Sequence, residues 1–251
     1  MKINTTFAQN VLKFNSNLTN VSIELPDNYR LINPFSGTEK EKIQRITQAF
    51  YNEFYNDTNK RYMILGSSPA RRGTAVTGVP YEDAEHLQKE TGIFINNFYI
   101  NKSSSNFLYD VMEKYGGCTK FYKNFYMNFV CPLGIARTNA KGNEVNSNYY
   151  ENKKLQNALL PFIINSIGEQ LKFGIDTSIC YCIGSGENFK FLAKINEKYN
   201  FFKEIIPLEH PRYIMQYNFK DKDIYLKKYL NAFAKCNNTK FNVREDYEDE
   251  K

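Results

Sequence analysis

The sequence lacks the patterns that would assign it at once to several common classes of protein. No apolar run approaches twenty residues and the N-terminus has no apolar signal-peptide core, so we expect neither a membrane-spanning segment nor export. There is neither a GxGxxG fingerprint nor a phosphate-binding Gly-Lys-Ser/Thr loop, which disfavours a doubly wound nucleotide-binding enzyme. No internal repeat is evident, and we interpret most of the chain as one domain.

Metal-binding patterns are missing as well. The five cysteines are an odd number without CxxC or Cys/His spacing: Cys118, Cys131, Cys180, Cys182 and Cys236. Cys180 and Cys182 would share one face of a strand, because side chains alternate every two residues, but two sulfurs are too few for a structural metal site. We therefore expect reduced thiols in a cytoplasmic protein that binds no metal and no cofactor.

The charge of the chain gives a weaker signal. The formal net charge is +6, and residues 241–251 carry five negative and two positive charges, so the rest of the chain carries +9. Such a basic body favours an anionic partner, although ordinary solubilising lysines would explain it equally well. The acidic segment 241–251 is expected to be a disordered tail.

Apolar, β-prone segments alternate with helical patterns along the chain. Strands are predicted over residues 62–65, 125–131, 177–183 and 203–208, and helices over 38–55, 83–91, 103–115, 153–172, 187–198 and 221–234. Strands that alternate with helices are typical of a parallel sheet covered on both faces. The sequence therefore predicts an α/β fold, a three-layer α/β/α sandwich with a central four-stranded, mostly parallel sheet.

The remaining segments are expected to be irregular. Residues 1–37 are rich in Asn and Thr and are punctuated by proline and glycine, so we expect an arm packed on the domain that follows, residues 38–240. Thr38 stands three residues before Glu41, which is capping-box spacing, and is predicted to begin the first helix. Residues 136–150 are polar and are predicted to form a loop.

Distinctive residues follow each predicted strand, at positions 66–68, 128–133, 184–186 and 210–212. Because the carboxyl ends of parallel strands lie along one edge of a sheet, four loops should converge on a single cleft. The first loop carries two arginines, which suits an anionic ligand. Asn128 interrupts an apolar run, so its amide must either satisfy a backbone group or face a ligand.

These segments resemble one known family. Residues 66–81, GSSPARRGTAVTGVPY, resemble the first motif of the uracil-DNA glycosylase superfamily, specifically of its single-strand-selective monofunctional branch, GMNPGPFGMAQTGVPF. The agreeing positions are Gly66, Pro69, Gly73, Ala75, Thr77, Gly78, Val79 and Pro80. The resemblance continues through Asn128 and the Cys-Pro-Leu run at 131–133, with a spacing one residue longer than in that branch, and through residues 184–186 to His210 and Pro211. It covers roughly residues 60–235 and implies the superfamily's α/β fold and DNA as partner.

The resemblance implies removal of a base from DNA. Cleaving that bond makes the sugar oxocarbenium-like and leaves negative charge on the ring oxygens of the departing uracil. His210 is the candidate donor to uracil O2, because the other histidine, His86, falls in a polar helix; the alternative is that His210 is a capping or core histidine. Ser68 stands where the branch has Asn, and its hydroxyl can orient water but is a poor general base. Glu82 or Asp83 could supply a carboxylate, although both are typical charges of a helix start.

The resemblance also assigns residues to the flipped base. Gly66, Ser67 and Pro69 belong to the loop that holds it. Tyr81 occupies the position of a stacking Phe and is expected to lie on the uracil ring, unless it is one more packed aromatic. Asn128 is the expected reader of uracil N3–H and O4, since an amide presents both a donor and an acceptor.

A further group is expected to contact the DNA strand itself. Its members are Arg71, Arg72, Ser185, Gly186, Arg212, Tyr213 and Met215. The amides at 185 and 186 and the arginines would hold phosphates. The segment 212–215 would include an apolar wedge that fills the space left by the flipped base, or would simply begin the next packed segment.

Two functions remain open from the sequence. The first is a monomeric, monofunctional DNA glycosylase that hydrolyses the bond to uracil or a related deaminated base by base flipping and water attack. No lysine in the motifs suggests a Schiff-base lyase. The second is a catalytically weak nucleic-acid-binding relative that keeps the fold and loses the chemistry at Ser68. Release of free base would separate the two.

Overall fold

The structure, a computed structural model, describes residues 5–71, 73–82, 84–92 and 102–236. Its strands are β1 (Tyr29–Ile32), β2 (Arg61–Gly66), β3 (Phe125–Phe129), β4 (Gly134–Thr138), β5 (Glu144–Ser147), β6 (Ile175–Ile183) and β7 (Glu204–Leu208). Its α-helices are α1 (Phe7–Leu18), α2 (Lys40–Tyr55), α3 (Thr74–Thr77), α4 (Ala84–Thr91), α5 (Lys102–Tyr115), α6 (Cys118–Asn124), α7 (Lys153–Leu171), α8 (Glu187–Tyr199), α9 (Pro211–Tyr217) and α10 (Lys222–Ala234). No helix in these ranges is both long and apolar enough to cross a membrane. The predictions for Arg72, Asp83 and the tail 241–251 lie outside the described residues.

Four strands form a parallel sheet in the order β3-β2-β6-β7. Leu65 near the end of β2 lies between Asn128 on β3 and Cys182 on β6. β3 is buried along its whole length, as expected for a parallel strand covered on both faces. The predicted α/β fold is confirmed, and all four strands run in the same direction.

Successive residues of β3 show the three layers. The ring of Phe125 lies 4.6 Å from that of Phe233 on α10. The next residue, Tyr126, donates a hydrogen bond of 3.2 Å to Gln170 on α7. Because neighbouring side chains point to opposite faces of a strand, α7 and α10 cover opposite faces of the sheet.

The segment predicted as a polar loop, residues 136–150, contains the end of one strand and the whole of another. β4 pairs antiparallel with both β1 and β5, forming a second, three-stranded sheet. The β4–β5 turn is closed by Asn139, whose side chain accepts from the amides of Lys141 and Asn143. The loop prediction was wrong because the parts of these strands within residues 136–150 are short and mostly polar, so they carry little apolar alternation.

The prediction of irregular structure over residues 1–37 was also wrong. Residues 7–18 form α1, which begins with a complete capping box between Thr6 and Gln9. Phe7, Val11 and Leu18 of α1 are buried, on one side of the helix. The apolar side of α1 therefore packs into the hydrophobic core.

The boundaries of the predicted helices agree with the structure within about two residues, but the predicted cap of α2 does not. α2 begins at Lys40 with Glu39 as its N-cap, and no side chain caps it, so the predicted role of Thr38 was wrong. The short helices α6 and α9 were not predicted. α9 begins at Pro211, a residue that suits the first turn of a helix because it lacks an N–H.

Arg61 anchors the start of β2. Its side chain is fully buried and donates to the carbonyls of Phe54, Asn59 and Tyr122 and to the carboxylate of Asp57, at 2.7–3.2 Å. The guanidinium carbon also lies 4.7 Å from the ring centroids of Phe7 and Tyr55. One side chain thus ties β2 to α1, α2 and α6.

Candidate active site

A cleft of about 650 Å³ opens at the carboxyl ends of the parallel strands. Its walls come from separate segments: the loop after β2, the residues before α4, the start of α5, the end of β3, the residues after β5, and α9 with the residue before it. The lining includes Ser67, Ser68, Pro69, Tyr81, Phe129, Asn148, Tyr150, His210, Arg212, Tyr213 and Tyr217. The predicted convergence of loops on one cleft is therefore observed, except that residues 184–186 do not line it.

The loop after β2 is held in place from two sides. The amides of Val130 and Cys131 donate to the carbonyls of Gly66 and Ser67, at 2.8 and 3.0 Å. From the other side, the hydroxyls of Ser67 and Ser68 both donate to Oδ1 of Asn148, at 3.0 Å each. Two serines and one amide therefore form a fixed polar cluster at the cleft.

Tyr81 adopts an unusual backbone conformation beside this cluster. Its φ is +61°, and its amide donates a 3.0 Å hydrogen bond to the hydroxyl of Thr74. Its ring stacks on Phe129 with centroids 5.2 Å apart and planes 27° apart. The Tyr81 hydroxyl is buried and has no hydrogen-bond partner among the described residues. It packs so closely on Gly66 that a Cβ there would lie 2.0 Å from the oxygen, so only glycine fits at position 66.

His210 precedes α9 and caps it with its side chain. Its Nδ1 accepts the backbone N–H of Arg212 at 3.1 Å, so in the neutral ring the proton resides on Nε2. Burial, with a smaller contribution from the charge of Arg212, lowers the pKa of His210 to about 4. The ring centroid lies 6.4 Å from that of Tyr81. The cleft therefore contains a neutral imidazole whose Nε2–H has no acceptor among the described residues.

Asn128 does not present its amide to the cleft, so the prediction that it contacts uracil N3–H and O4 was wrong. Its Nδ2 donates to Tyr126 and Gln170 at 2.7 and 2.6 Å, and its Oδ1 accepts the amide of Phe129 at 2.8 Å. The amide thus satisfies buried groups on the α7 face of the sheet. Phe129, the next residue, lines the cleft instead, because adjacent strand residues face opposite sides.

Of the described residues predicted to contact DNA, two line the cleft. Arg212 and Tyr213 are exposed and line the cleft. Met215 packs against the main core, which contradicts its proposed place in a wedge. Ser185 and Gly186 are exposed where α8 begins, but they do not line the cleft. Arg71 lies near Glu144, with an N–O distance of 4.0 Å, and Arg72 is outside the described residues.

Several cleft residues were not identified from the sequence, among them Asn148, Phe129 and Tyr217. Asn148 lies in a polar stretch that resembled an ordinary loop. Phe129 could have been found from the extra residue between Asn128 and the Cys-Pro-Leu run, which moves the cleft-facing position by one. Tyr217 is 76% exposed, with its ring 6.2 Å from that of Tyr213, and no sequence pattern separated it from the many packed aromatics.

The cysteines stand apart from this site. None of the five is in a disulfide, and burial raises the pKa of the Cys131 and Cys182 thiols to about 12. Over the part of the chain that the structure describes, no group of three His, Cys, Asp or Glu side chains could hold a metal ion. The polar groups that line the cleft include the imidazole of His210, the hydroxyls of Ser67 and Ser68, and the amide of Asn148.

Comparisons with known proteins agree with this arrangement. A family model described as the uracil DNA glycosylase superfamily matches residues 53–234. The crystal structure of wild-type Pedobacter heparinus SMUG2 shares 44% sequence identity and a TM-score of 0.88, and the match covers 94% of this chain and 100% of that one. A search of curated proteins finds no significant match. The chain belongs to the uracil DNA glycosylase superfamily, in its SMUG-like branch.

Proposed function

We propose that this protein is a monofunctional DNA glycosylase that hydrolyses the N-glycosidic bond of uracil or a related deaminated base. One observation supports this most strongly: a neutral imidazole faces the same cleft as a hydroxyl pair ordered by an amide. Such a reaction needs a donor for the departing base and a positioned water for the sugar. Both types of group are within one cleft.

His210 is the proposed donor to the departing base. As the bond breaks, negative charge accumulates on the ring oxygens of the base, and a preorganised N–H in a site that excludes water stabilises that charge. The hydrogen bond from the amide of Arg212 fixes the imidazole tautomer and its orientation. His210 therefore needs to give no proton; its Nε2–H strengthens an existing hydrogen bond in the transition state.

Ser68 and Asn148 are the proposed water-positioning pair. Because the Ser68 hydroxyl donates to Asn148, its lone pairs are left to accept from a water molecule. Neither group is a strong base, so the pair acts by placing water against a sugar that already carries positive charge. This differs from a mechanism in which a carboxylate removes a proton from the water.

The exposed end of the cleft suits a nucleic-acid strand. Tyr213 and Tyr217 are 47% and 76% exposed and stand beside Arg212 on α9, which has no acidic residue. Exposed aromatic rings next to a cation stack on unpaired bases and hold the backbone. We assign these residues to nucleotides flanking the flipped base.

The test is release of free base from oligonucleotides that contain uracil, hypoxanthine or xanthine, in single and double strands. We expect release from at least one substrate and no strand cleavage before alkali. Tight binding to all of them without release would instead identify a catalytically weak binding relative.

A double-mutant cycle tests the water-positioning pair. Because the two side chains act through one hydrogen bond, Ser68→Ala and Asn148→Ala should each lower the single-turnover rate constant roughly 10- to 100-fold. The double variant should be scarcely slower than the slower single variant. Asn152→Ala is a matched control, since this amide caps α7 away from the cleft and should change stability without changing the rate. Fully multiplicative effects would contradict the pair.

A further inference from the structure

Glu82 is a buried carboxylate at the side of the cleft, with only 2% of its surface exposed. One oxygen accepts the hydroxyl of Tyr109 on α5, and the other accepts the hydroxyl of Tyr122 on α6. A carboxylate removed from water destabilises the fold unless its oxygens are hydrogen-bonded. The two tyrosines meet that requirement and, because they belong to different helices, fix the carboxylate in place.

Both tyrosines are themselves held by neighbouring rings. The Tyr122 side chain is buried, and its ring lies 5.0–5.7 Å from the rings of Phe50, Phe54 and Tyr55. The Tyr109 ring stacks on His86 with centroids 3.6 Å apart. The acceptors of Glu82 therefore bind donors that have little freedom to move. The carboxylate is anchored to the scaffold rather than to a mobile loop.

Tyr81, the residue before Glu82, has the most unusual backbone conformation among the described cleft residues. Three described non-glycine residues have positive φ: Asn28, Tyr81 and Asn200. Asparagine tolerates this conformation, whereas for tyrosine it is strained and persists only when the surroundings enforce it. The amide of Tyr81 is held on one side by Thr74. On the other side, the chain continues directly into the anchored Glu82.

We propose that Glu82 is a positioning residue for base removal. Its anchored carboxylate fixes the strained backbone of Tyr81 and so sets where the Tyr81 ring meets the flipped base. The effect on catalysis rests on the proposed glycosylase function. Since both oxygens already accept tyrosine hydroxyls, Glu82 acts through Tyr81 and not as the base that activates water.

Two variants weaken the hydrogen bonds that hold the Glu82 carboxylate, with little change in side-chain shape. Glu82→Gln replaces one acceptor oxygen by a donor, and Tyr122→Phe removes one of the two hydroxyls. Each should lower kcat about 10- to 100-fold, because a small displacement of a positioning group lowers the rate by this factor. The KM for DNA should change less than about threefold. Tyr126→Phe is the matched control: it removes a buried tyrosine hydroxyl from the network on the α7 face, which does not line the cleft.

A second measurement does not depend on activity. In the wild type, nuclear Overhauser effects should connect the rings of Tyr81 and Phe129, which stack at 5.2 Å. In Glu82→Gln these should weaken or disappear while the rest of the spectrum keeps its dispersion. Unchanged ring contacts would overturn the inference even if the wild type releases no base. If the wild type is active, a kcat of Glu82→Gln equal to that of the wild type would also overturn the inference. An equal fall in kcat for Tyr126→Phe and Tyr122→Phe would do the same.

Discussion

Replacement of His210 by alanine is expected to lower the rate constant for base release by about 100- to 1,000-fold, the usual effect of removing one donor to a developing anion. The imidazole is the cleft group best prepared for this role, because its tautomer is fixed by the amide of Arg212 and burial keeps it neutral. The measurement is a single-turnover assay with a uracil-containing oligonucleotide. Binding of an oligonucleotide without uracil should change little.

His210→Asn provides the matched control for this experiment. Asparagine is among the best N-cap residues, so it should retain the side-chain bond to the start of α9 while offering no group where Nε2 lies. We expect His210→Asn to unfold close to the wild-type temperature and to be as slow as His210→Ala. If His210→Asn kept most of the activity, the imidazole would matter only for capping α9.

Replacement of Arg61 by methionine is expected to lower the free energy of unfolding by about 3 to 5 kcal/mol, because each buried acceptor that loses its donor costs about 1 to 3 kcal/mol. Methionine has comparable volume, but it leaves the carbonyls of Phe54, Asn59 and Tyr122 without their donor. The loss can be measured by urea denaturation. Since Arg61 starts the strand that ends at Gly66, the cleft should lose its order in the same transition.

Arg30 is the comparison for Arg61. It also pairs with a carboxylate, that of Glu144, but its side chain is 57% exposed. Exposed ion pairs contribute less than about 1 kcal/mol, so Arg30→Met should change the free energy of unfolding little. Equal effects of the two substitutions would mean that burial of the guanidinium does not determine its contribution.

The parallel sheet and its helices could be predicted because each element depends on a pattern of apolar residues that extends over many positions. Each of the four strands is an apolar run bounded by glycine, proline or polar residues, and the long helix α7 carries an apolar stripe over nineteen residues. Because the sheet was predicted to be parallel, Ser68 and His210, which both follow strands, were expected at the same edge. Both do line one cleft.

The errors arose where one residue or one contact decides the outcome. Asn128 and Phe129 are adjacent, and a shift of one position along a strand exchanges the buried face for the cleft. Strand periodicity alone does not specify which of the two faces the cleft, and the available signal was the extra residue before the Cys-Pro-Leu run. Asn148 reaches the serines across about eighty positions of chain, through tertiary packing that no local pattern records. The capping box of α1 is present in the sequence as Thr6 and Gln9, but the Asn- and Thr-rich composition around it and the proline and glycine that follow are typical of irregular chain.

The pH dependence of single-turnover base release tests the proposed mechanism most directly. Because burial lowers the pKa of His210 to about 4, the imidazole is almost entirely neutral above about pH 5.5 and takes up a proton as the pH falls towards 4. The rate constant for uracil release should therefore be constant from about pH 8 to about pH 5.5. Absence of release, or a rate that rises on acidification through about pH 6.5 as an imidazolium acid requires, would contradict it.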